Sequence, residues 1–138
     1  MRVLLDANVV LDVLAARQPF FPLAARVWAA VEGERVDGLL AAHTVTTLHY
    51  LLRRHSDAPR TAAALADLLR VFEVAPVNGS VLQSALAIPG PDFDDAVQIA
   101  AAIAAGASHL VTRNPRDFQA CPIPIFQPAE LIALIAAA

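Results

Sequence analysis

The chain has 138 residues and a formal net charge of −3 at pH 7, and arginine supplies all ten of its Lys and Arg side chains. This length suits one domain, which we expect over residues 1–138, and the mildly acidic balance argues against a protein that coats nucleic acid without specificity. Hydrophobic residues make up 57% of the chain, yet no apolar run free of charges reaches the about 20 residues that a membrane-spanning helix needs. With a lone Cys121 and no signal-peptide pattern, we predict a cytoplasmic protein without membrane attachment.

Apolar periodicity, interrupted at Gly and Pro, divides the chain into strands that alternate with helices. We predict strands at residues 2–5, 39–42, 71–77, 109–112 and 123–126. We predict helices at residues 7–16, 23–34, 44–55, 60–69, 78–87, 92–105 and 128–135, with one break bracketed by Pro19 and Pro22 and another at Pro89-Gly90-Pro91. This alternation indicates an α/β domain with a mainly parallel sheet of about five strands flanked by helices.

Acidic and amide side chains follow the predicted strands at the places where α/β sheets bind ligands, which are the carboxyl ends of the strands. Three groups fall there: Asp6, then Asp92, Asp94 and Asp95, then Asn114 and Asp117. Carboxylates brought close together repel one another unless a cation lies among them, and hard oxygen ligands select Mg²⁺ or Mn²⁺. One or two such ions can activate a water and stabilise charge on a phosphoryl group, so the pattern predicts a metal-dependent phosphodiesterase.

Each group also has a purely structural interpretation. Asp6 could cap the helix at 7–16, and Asp92 could cap a helix whose dipole favours acids in its first turn. Asn114 and Asp117 could simply shape a turn, since both residue types favour turns. The coincidence of all three groups at strand ends favours the functional interpretation.

The spacing of the three aspartates in the helix at 92–105 separates their expected roles. Asp92 and Asp95 lie three residues apart and share a face, whereas Asp94 points elsewhere. We therefore expect Asp92 to act as the cap, Asp95 to point inward and Asp94 to face solvent.

Arginines surround the predicted acidic site. Arg113 and Arg116 flank the last group, where they suit contacts with RNA phosphates. The densest basic patch, at residues 53–60, fits the same role or an equally plausible solvated helix end. No histidine shows metal-ligand spacing, although His43 or His49 could reach the site.

Three segments resemble motifs of the PIN-domain family. Residues 3–12 (VLLDANVVLD) are similar to the opening of PIN domains, residues 92–96 (DFDDA) to their third acidic motif, and residues 112–118 (TRNPRDF) to their fourth. The order of strands and helices also fits, so the resemblance covers essentially the whole chain. It implies a three-layer, Rossmann-like fold and Mg²⁺- or Mn²⁺-dependent cleavage of RNA, often by a toxin that is paired with a small antitoxin protein.

The resemblance also assigns expected roles to single residues. The expected metal ligands are Asp6, Asp95, Asn114 and Asp117, and the expected catalytic residues are Asp6, Asp95 and Asp117. The expected substrate-binding residues are Asn8, Thr112, Arg113, Asn114 and Arg116. Within these sets, Asp6 matches the first metal ligand and Asp95 the third acid, while Asn114 takes the fourth acidic position with Asp117 near enough to assist or replace it.

The second acid of the family is absent, because Thr47 occupies its position. Only Asp6 and Asp95 keep the family's charge, helped by Asp117 or Asp12, and metal affinity should fall with the number of charged ligands. Two hypotheses follow: an active metal-dependent endoribonuclease, or a catalytically degenerate module that binds RNA or protein. A phosphatase or receiver-like domain would want a lysine late in the chain, and the sequence has none. The high apolar content also predicts a homodimer.

Overall fold

Five parallel strands form one sheet with helices on both faces. The computed structural model describes residues 1–90 and 92–137; Pro91, part of the predicted break before the sixth helix, lies outside the described residues. The strands are β1 (Arg2–Leu5), β2 (Asp37–Ala41), β3 (Glu73–Ala75), β4 (His109–Val111) and β5 (Ile125–Phe126). The helices are α1 (Ala7–Leu14), α2 (Phe21–Glu32), α3 (Ala42–Arg53), α4 (Ala58–Val71), α5 (Gly79–Leu86), α6 (Phe93–Ala104) and α7 (Pro128–Ala137), with a 3₁₀ helix at Pro115–Phe118. None of these helices is long and apolar enough to cross a membrane.

The order of strands across the sheet is β3-β2-β1-β4-β5, with β1 at the centre. Leu4 of β1 pairs with Leu39 of β2 on one side and with Leu110 of β4 on the other. The chain therefore builds the sheet outward from β1 in one direction through β2 and β3, and in the other through β4 and β5. Such a reversal opens a crevice at the carboxyl ends of the two central strands. Asp6 and Thr112 directly follow these two strands, so both lie at the crevice.

Alternate residues of β1 face opposite layers of the molecule, as the pleat of a strand requires. Val3 and Leu5 pack in the core formed with α1, α2, α3, α4 and α7, whereas Leu4 packs in the core formed with α5 and α6. Residues 96–102 of α6 are all buried, and their small alanines let this helix lie close to the sheet. The predicted three-layer α/β fold with a parallel five-stranded sheet is confirmed.

Several element boundaries differ from the predicted ones. The predicted break before the second helix is present, but the predicted start of that helix at residue 23 is two residues late. The helix α2 begins at Phe21 and holds Pro22 in its first turn, where a missing N–H leaves no helical hydrogen bond unmade. β3 is only three residues long and ends before Pro76, which cannot donate to a strand ladder. The 3₁₀ helix after β4 was not predicted; it places Arg116 and Asp117 on a short, rigid turn.

Candidate active site

Asp6 lies at the carboxyl end of β1 and is held there by neutral hydrogen-bond donors. Its Oδ1 accepts from the backbone N–H of Ala7 at 2.7 Å and from Nε2 of Gln98 at 3.0 Å. Its Oδ2 accepts from the Thr112 hydroxyl at 2.8 Å. Burial raises the pKa of Asp6 despite these three bonds, and the charge of Asp94 adds to the rise. In the described part of the chain, no Arg or His side chain forms an ion pair with Asp6.

The first turn of α6 brings three more carboxylates to this edge. Asp92 caps the helix as expected, since its Oδ1 accepts from the backbone N–H groups of Asp94 at 2.8 Å and Asp95 at 3.4 Å. Asp94 is exposed, as expected, but its carboxylate also makes contacts that the sequence did not predict. Its Oδ1 accepts from Nε2 of Gln98 at 3.4 Å and lies 3.4 Å from Nε2 of His43, because α6 begins beside the start of α3. The contact with His43 lowers the pKa of Asp94.

Asp95 lies among several other carboxylates at this edge of the sheet. Its pKa is raised to about 7, first by burial and then by the negative charges of Asp92, Asp6, Asp117 and Asp94. The side chain is half-buried rather than fully inward. Four neighbouring carboxylates thus act on one carboxyl group, and nothing among residues 1–90 and 92–137 pairs with it as a cation.

Asp95 also lines a cleft of about 410 Å³ between α6 and the 3₁₀ helix. We call this the acidic cleft, and its polar lining consists mainly of Asp92, Asp95, Arg116 and Asp117. The structure therefore brings together three of the predicted site residues, Asp95, Arg116 and Asp117. Asn114 lines a different cleft, and its backbone N–H donates to the Thr112 hydroxyl at 3.0 Å.

Asp12 does not join the acidic site, contrary to the expectation that it could add charge there. It is completely buried, and its carboxylate accepts from Nε of Arg113 at 2.6 Å and from Nε of Arg17 at 2.9 Å. The Arg113 guanidinium also lies over the ring of Phe20, 3.8 Å from its centroid. The backbone N–H of Arg113 lies 3.5 Å from Oδ1 of Asn8, so Asn8 supports the loop after β4.

The start of α3 carries no acid, as the sequence predicts. The Thr47 hydroxyl donates to the His43 carbonyl one turn earlier, at 3.2 Å. His43 itself reaches the site, with Nε2 at 3.3 Å from the carbonyl oxygen of Asp94 in addition to its contact with the carboxylate. Burial lowers the pKa of His43, but the nearby carboxylates of Asp94 and Asp95 outweigh burial and leave the pKa raised.

Gln98 is the functional residue that the sequence analysis missed. It is buried, and its single Nε2 donates to both Asp6 and Asp94. The signal was present in the sequence: Gln98 is the one strongly polar residue in the otherwise apolar run at 96–105. A buried polar side chain usually has a specific partner, and this one lies a helical turn after the aspartates.

The oxygen-rich site fits a hard divalent cation that keeps much of its own water. Among the described residues, no three His, Cys, Asp or Glu side chains converge closely enough to enclose a metal ion. Mg²⁺, however, is usually bound through one or two carboxylates and retains several waters. The repulsion that raises the pKa of Asp95 is the charge that such an ion would neutralise. Asp6 and Asp95 are thus the carboxylates best placed to hold it.

Sequence comparison identifies the family. The sequence profile of the PIN domain matches residues 2–116, which is most of the chain. The chain therefore belongs to the PIN-domain family, and the resemblance seen in the three motifs is confirmed. No curated protein sequence matches the chain significantly.

Solved structures with the same fold include bacterial and archaeal proteins. VapBC2 from Rickettsia felis, bound to a DNA fragment from its promoter, has a TM-score of 0.70 at 14% identity, covering 92% of this chain and 98% of that one. VapC20 from Mycobacterium tuberculosis, a toxin that cleaves the sarcin-ricin loop, has a TM-score of 0.63 at 20% identity, covering 78% and 86%. PAE2754 from Pyrobaculum aerophilum has a TM-score of 0.64 at 20% identity, covering 100% and 91%. At these identities the likeness shows the shared fold.

Proposed function

We propose that the chain is a Mg²⁺- or Mn²⁺-dependent endoribonuclease built as one domain over residues 1–138. The observation that carries the proposal is the concentration of carboxylates around Asp95, whose pKa is raised to about 7 by burial and four acidic neighbours. Asp95 has no ion-pair partner among the described residues, and a carboxyl group perturbed in this way at the ligand-binding edge of a sheet is typical of a functional site. Membership in the PIN-domain family and the shared fold of the RNA-cleaving VapC20 support the same function.

In this proposal Asp6 and Asp95 hold the metal, and Asp117 assists as a further acid in the acidic cleft. The bound ion would lower the pKa of a water and polarise the scissile phosphate. Gln98 and Thr112 keep the Asp6 carboxylate in one orientation through their hydrogen bonds. Arg116, which lines the acidic cleft, contacts an RNA phosphate through its guanidinium.

We further propose a role as the toxin of a toxin–antitoxin pair, with a small protein antitoxin as partner. The support is the fold shared with VapBC2 and with a toxin–antitoxin complex from Klebsiella pneumoniae, at a TM-score of 0.70 and 20% identity. Homodimerisation stays a prediction; exposed apolar side chains such as Leu86 on α5 and Tyr50 on α3 offer surfaces for it. Inducible expression in a bacterial host should stop growth for the wild-type protein and not for an Asp6→Asn variant.

The direct test is cleavage of a labelled single-stranded RNA with Mg²⁺, Mn²⁺ or EDTA. We expect metal-stimulated cleavage that falls at least about a hundredfold in Asp6→Asn, since metal chemistry contributes several kcal/mol to such reactions. Asp67→Asn is the matched control, because Asp67 is an exposed aspartate on α4, outside the site. Unchanged cleavage in Asp6→Asn would contradict the assignment.

A second candidate function is favoured by the missing acid at Thr47 and by the absence of three converging ligands among the described residues. In that case the domain binds RNA or protein without cutting. Calorimetric titration with Mn²⁺ separates the two candidates. A degenerate module shows no saturable binding at millimolar Mn²⁺, whereas the nuclease shows binding that depends on Asp6.

A further inference from the structure

A second cleft lies on the other side of the loop that follows β4. We call it the apolar cleft; it has a volume of about 380 Å³. Its apolar walls come from the start of α2 and from α7, and they consist of Pro19, Phe20, Leu23, Pro128 and Ala129. Its polar lining consists of Asp12, Arg113, Asn114 and Gln127. The loop thus supplies Arg113 and Asn114 to the apolar cleft, and Arg116 and Asp117 to the acidic cleft.

The polar groups of the apolar cleft have unused hydrogen-bonding capacity. Asp12 occupies Nε and Nη2 of Arg113, but within residues 1–90 and 92–137 the Nη1 donors make no hydrogen bond. The side-chain amides of Asn114 and Gln127, which are both exposed residues, likewise make none in that part of the chain, whereas their backbone N–H and carbonyl groups do. Each amide offers both a donor and an acceptor. An apolar cleft lined by a few polar groups that a ligand can reach is typical of a small-ligand site.

The charge of this cleft differs from that of its neighbour. The buried Asp12 carboxylate is matched by two guanidinium groups, those of Arg113 and Arg17. A ligand in the apolar cleft therefore need not be a cation. The two guanidinium groups also allow the ligand to carry a negatively charged phosphate group beside the cleft. The flat guanidinium of Arg113, stacked on the Phe20 ring, forms a planar wall that favours a flat, heteroaromatic occupant.

The apolar cleft is also joined to the acidic edge through one residue. The Thr112 hydroxyl donates to Oδ2 of Asp6 at 2.8 Å and accepts from the backbone N–H of Asn114 at 3.0 Å. Through Thr112, the backbone of Asn114 is therefore two hydrogen bonds away from the Asp6 carboxylate, where the proposed chemistry takes place.

We infer that the apolar cleft holds one unpaired nucleobase of a single-stranded RNA substrate, next to the phosphate that is cut at Asp6. This inference rests on the proposed nuclease function and adds its substrate class. A nucleobase has an apolar face for the walls, and its edge carries the donors and acceptors that asparagine, glutamine and arginine side chains read. The cleft, at about 380 Å³, is large enough to hold one such group.

The test measures RNA binding without cleavage. Wild-type protein in EDTA is titrated into a 5′-fluorescent single-stranded RNA and into copies of it in which one base at a time is replaced by an abasic site. We expect one abasic position to weaken the Kd roughly tenfold, the loss typical for one stacked base. Leu23→Ala and Gln127→Ala should weaken binding of the intact RNA by a similar factor and leave binding of that abasic RNA unchanged. Neither variant touches the Asp12–Arg113 pair.

The control variant is Leu86→Ala, since Leu86 is 74% exposed on α5 and outside both clefts. Equal Kd values for intact and abasic RNAs would overturn the nucleobase inference while cleavage of RNA in Mn²⁺ still stood, so the two proposals fail separately. Unchanged RNA binding in Leu23→Ala and Gln127→Ala, with loss of a defined protein partner instead, would also overturn it in favour of a protein-docking role. If RNA is neither bound nor cut, both proposals are wrong.

Discussion

Asp6 and Asp12 are two buried aspartates on the same stretch of chain, and their surroundings are opposite. Asp12 is enclosed by two arginines, at 2.6 Å from Nε of Arg113 and 2.9 Å from Nε of Arg17. Asp6 is surrounded by neutral donors, and its charged neighbours are carboxylates: Asp94 raises the pKa of Asp6, and Asp6 raises the pKa of Asp95. The protein supplies the counter-charge at one position and leaves it out at the other.

In the proposed function, this difference separates the structural charge of Asp12 from the functional charge of Asp6. A buried carboxylate is tolerated when a cation is paired with it, and removing one partner of such a pair is costly. A buried carboxylate without such a partner destabilises the folded state. Such a carboxylate is typical of a site where a ligand supplies the missing positive charge. The contrast between Asp6 and Asp12 can therefore be tested by making the same substitution at both positions.

The largest expected effect on stability is at Asp12. Asp12→Asn should lower the free energy of unfolding by about 2–3 kcal/mol, because two guanidinium groups lose their buried partner while remaining partly open to water. Urea denaturation at pH 7 measures it. Glu73→Gln is the control, since Glu73 forms an exposed ion pair with Arg2 and should change stability by less than about 0.5 kcal/mol. Equal losses in both variants would contradict the structural role of Asp12.

The next effect is on metal affinity. Thr47→Glu places a carboxylate at the family's second acidic position, and Mn²⁺ should then bind roughly tenfold more tightly because a charged ligand is added. Isothermal titration calorimetry measures the change. Thr46→Glu is the matched control, because Thr46 is the exposed neighbour on the same helix. The same gain in both variants would show a general charge effect rather than a restored ligand.

The pH dependence of the free energy of unfolding should reveal the raised pKa of Asp95. In metal-free protein its folded-state pKa of about 7 exceeds the ordinary value of 3.8, so the folded state binds more protons than the unfolded state between these values. The free energy of unfolding therefore falls as pH rises from about 4 to 7. The raised pKa of Asp6 acts in the same direction, and the lowered pKa of Asp94 acts only at lower pH.

Asp95→Asn removes the loss of stability that deprotonation of Asp95 causes as the pH rises. The variant should therefore melt a few degrees above wild type at pH 7.5 in EDTA. The gap in Tm should close as the pH falls towards 4. Thermal melts across this range decide the point, with Asp67→Asn as a control for removing an exposed charge. A variant less stable than wild type at pH 7.5 would mean that the carboxylates around Asp95 do not repel one another as described.

The smallest expected change in the free energy of unfolding is at Asp6, and it gives the clearest contrast with Asp12. Asp6→Asn keeps an oxygen that accepts from Ala7 and Gln98 and removes a charge that burial disfavours. Its free energy of unfolding should stay within about 1 kcal/mol of wild type, while its activity is lost. Urea denaturation beside Asp12→Asn checks this. A loss at Asp6 as large as that at Asp12 would make Asp6 a structural residue.

The sequence predicts the sheet well because its signals are local. Short apolar runs mark the strands, and all five are found. The errors concern features decided by tertiary contacts. Pro22 is taken as the end of a break because it lacks an N–H, but the first turn of α2 does not need that N–H. Strand ends are set by pairing with neighbours far along the chain, which the sequence does not display.

The acidic residues could be named from the sequence, but their contacts could not. Helical spacing predicts that Asp94 faces solvent, but it does not show which side chains lie beside Asp94. Those neighbours depend on the placement of α3 beside α6, which is a property of the whole fold. The same packing brings His43 to Asp94 and Gln98 to Asp6. Asp12 was offered as a helper of the metal site because its arginine partners, 5 and 101 residues away in sequence, are not visible as partners.

The central position of β1 has a consequence for when the surroundings of Asp6 form during synthesis. β1 is made long before its neighbour β4, which begins at residue 109, and Asp6 receives its side-chain donors from residues 92 and 106 positions later. A nascent chain that ends before Gln98 therefore holds Asp6 without either of these two donors. Because pairing between residues so distant in sequence forms slowly, the surroundings of Asp6 are completed only after Thr112 has been synthesised.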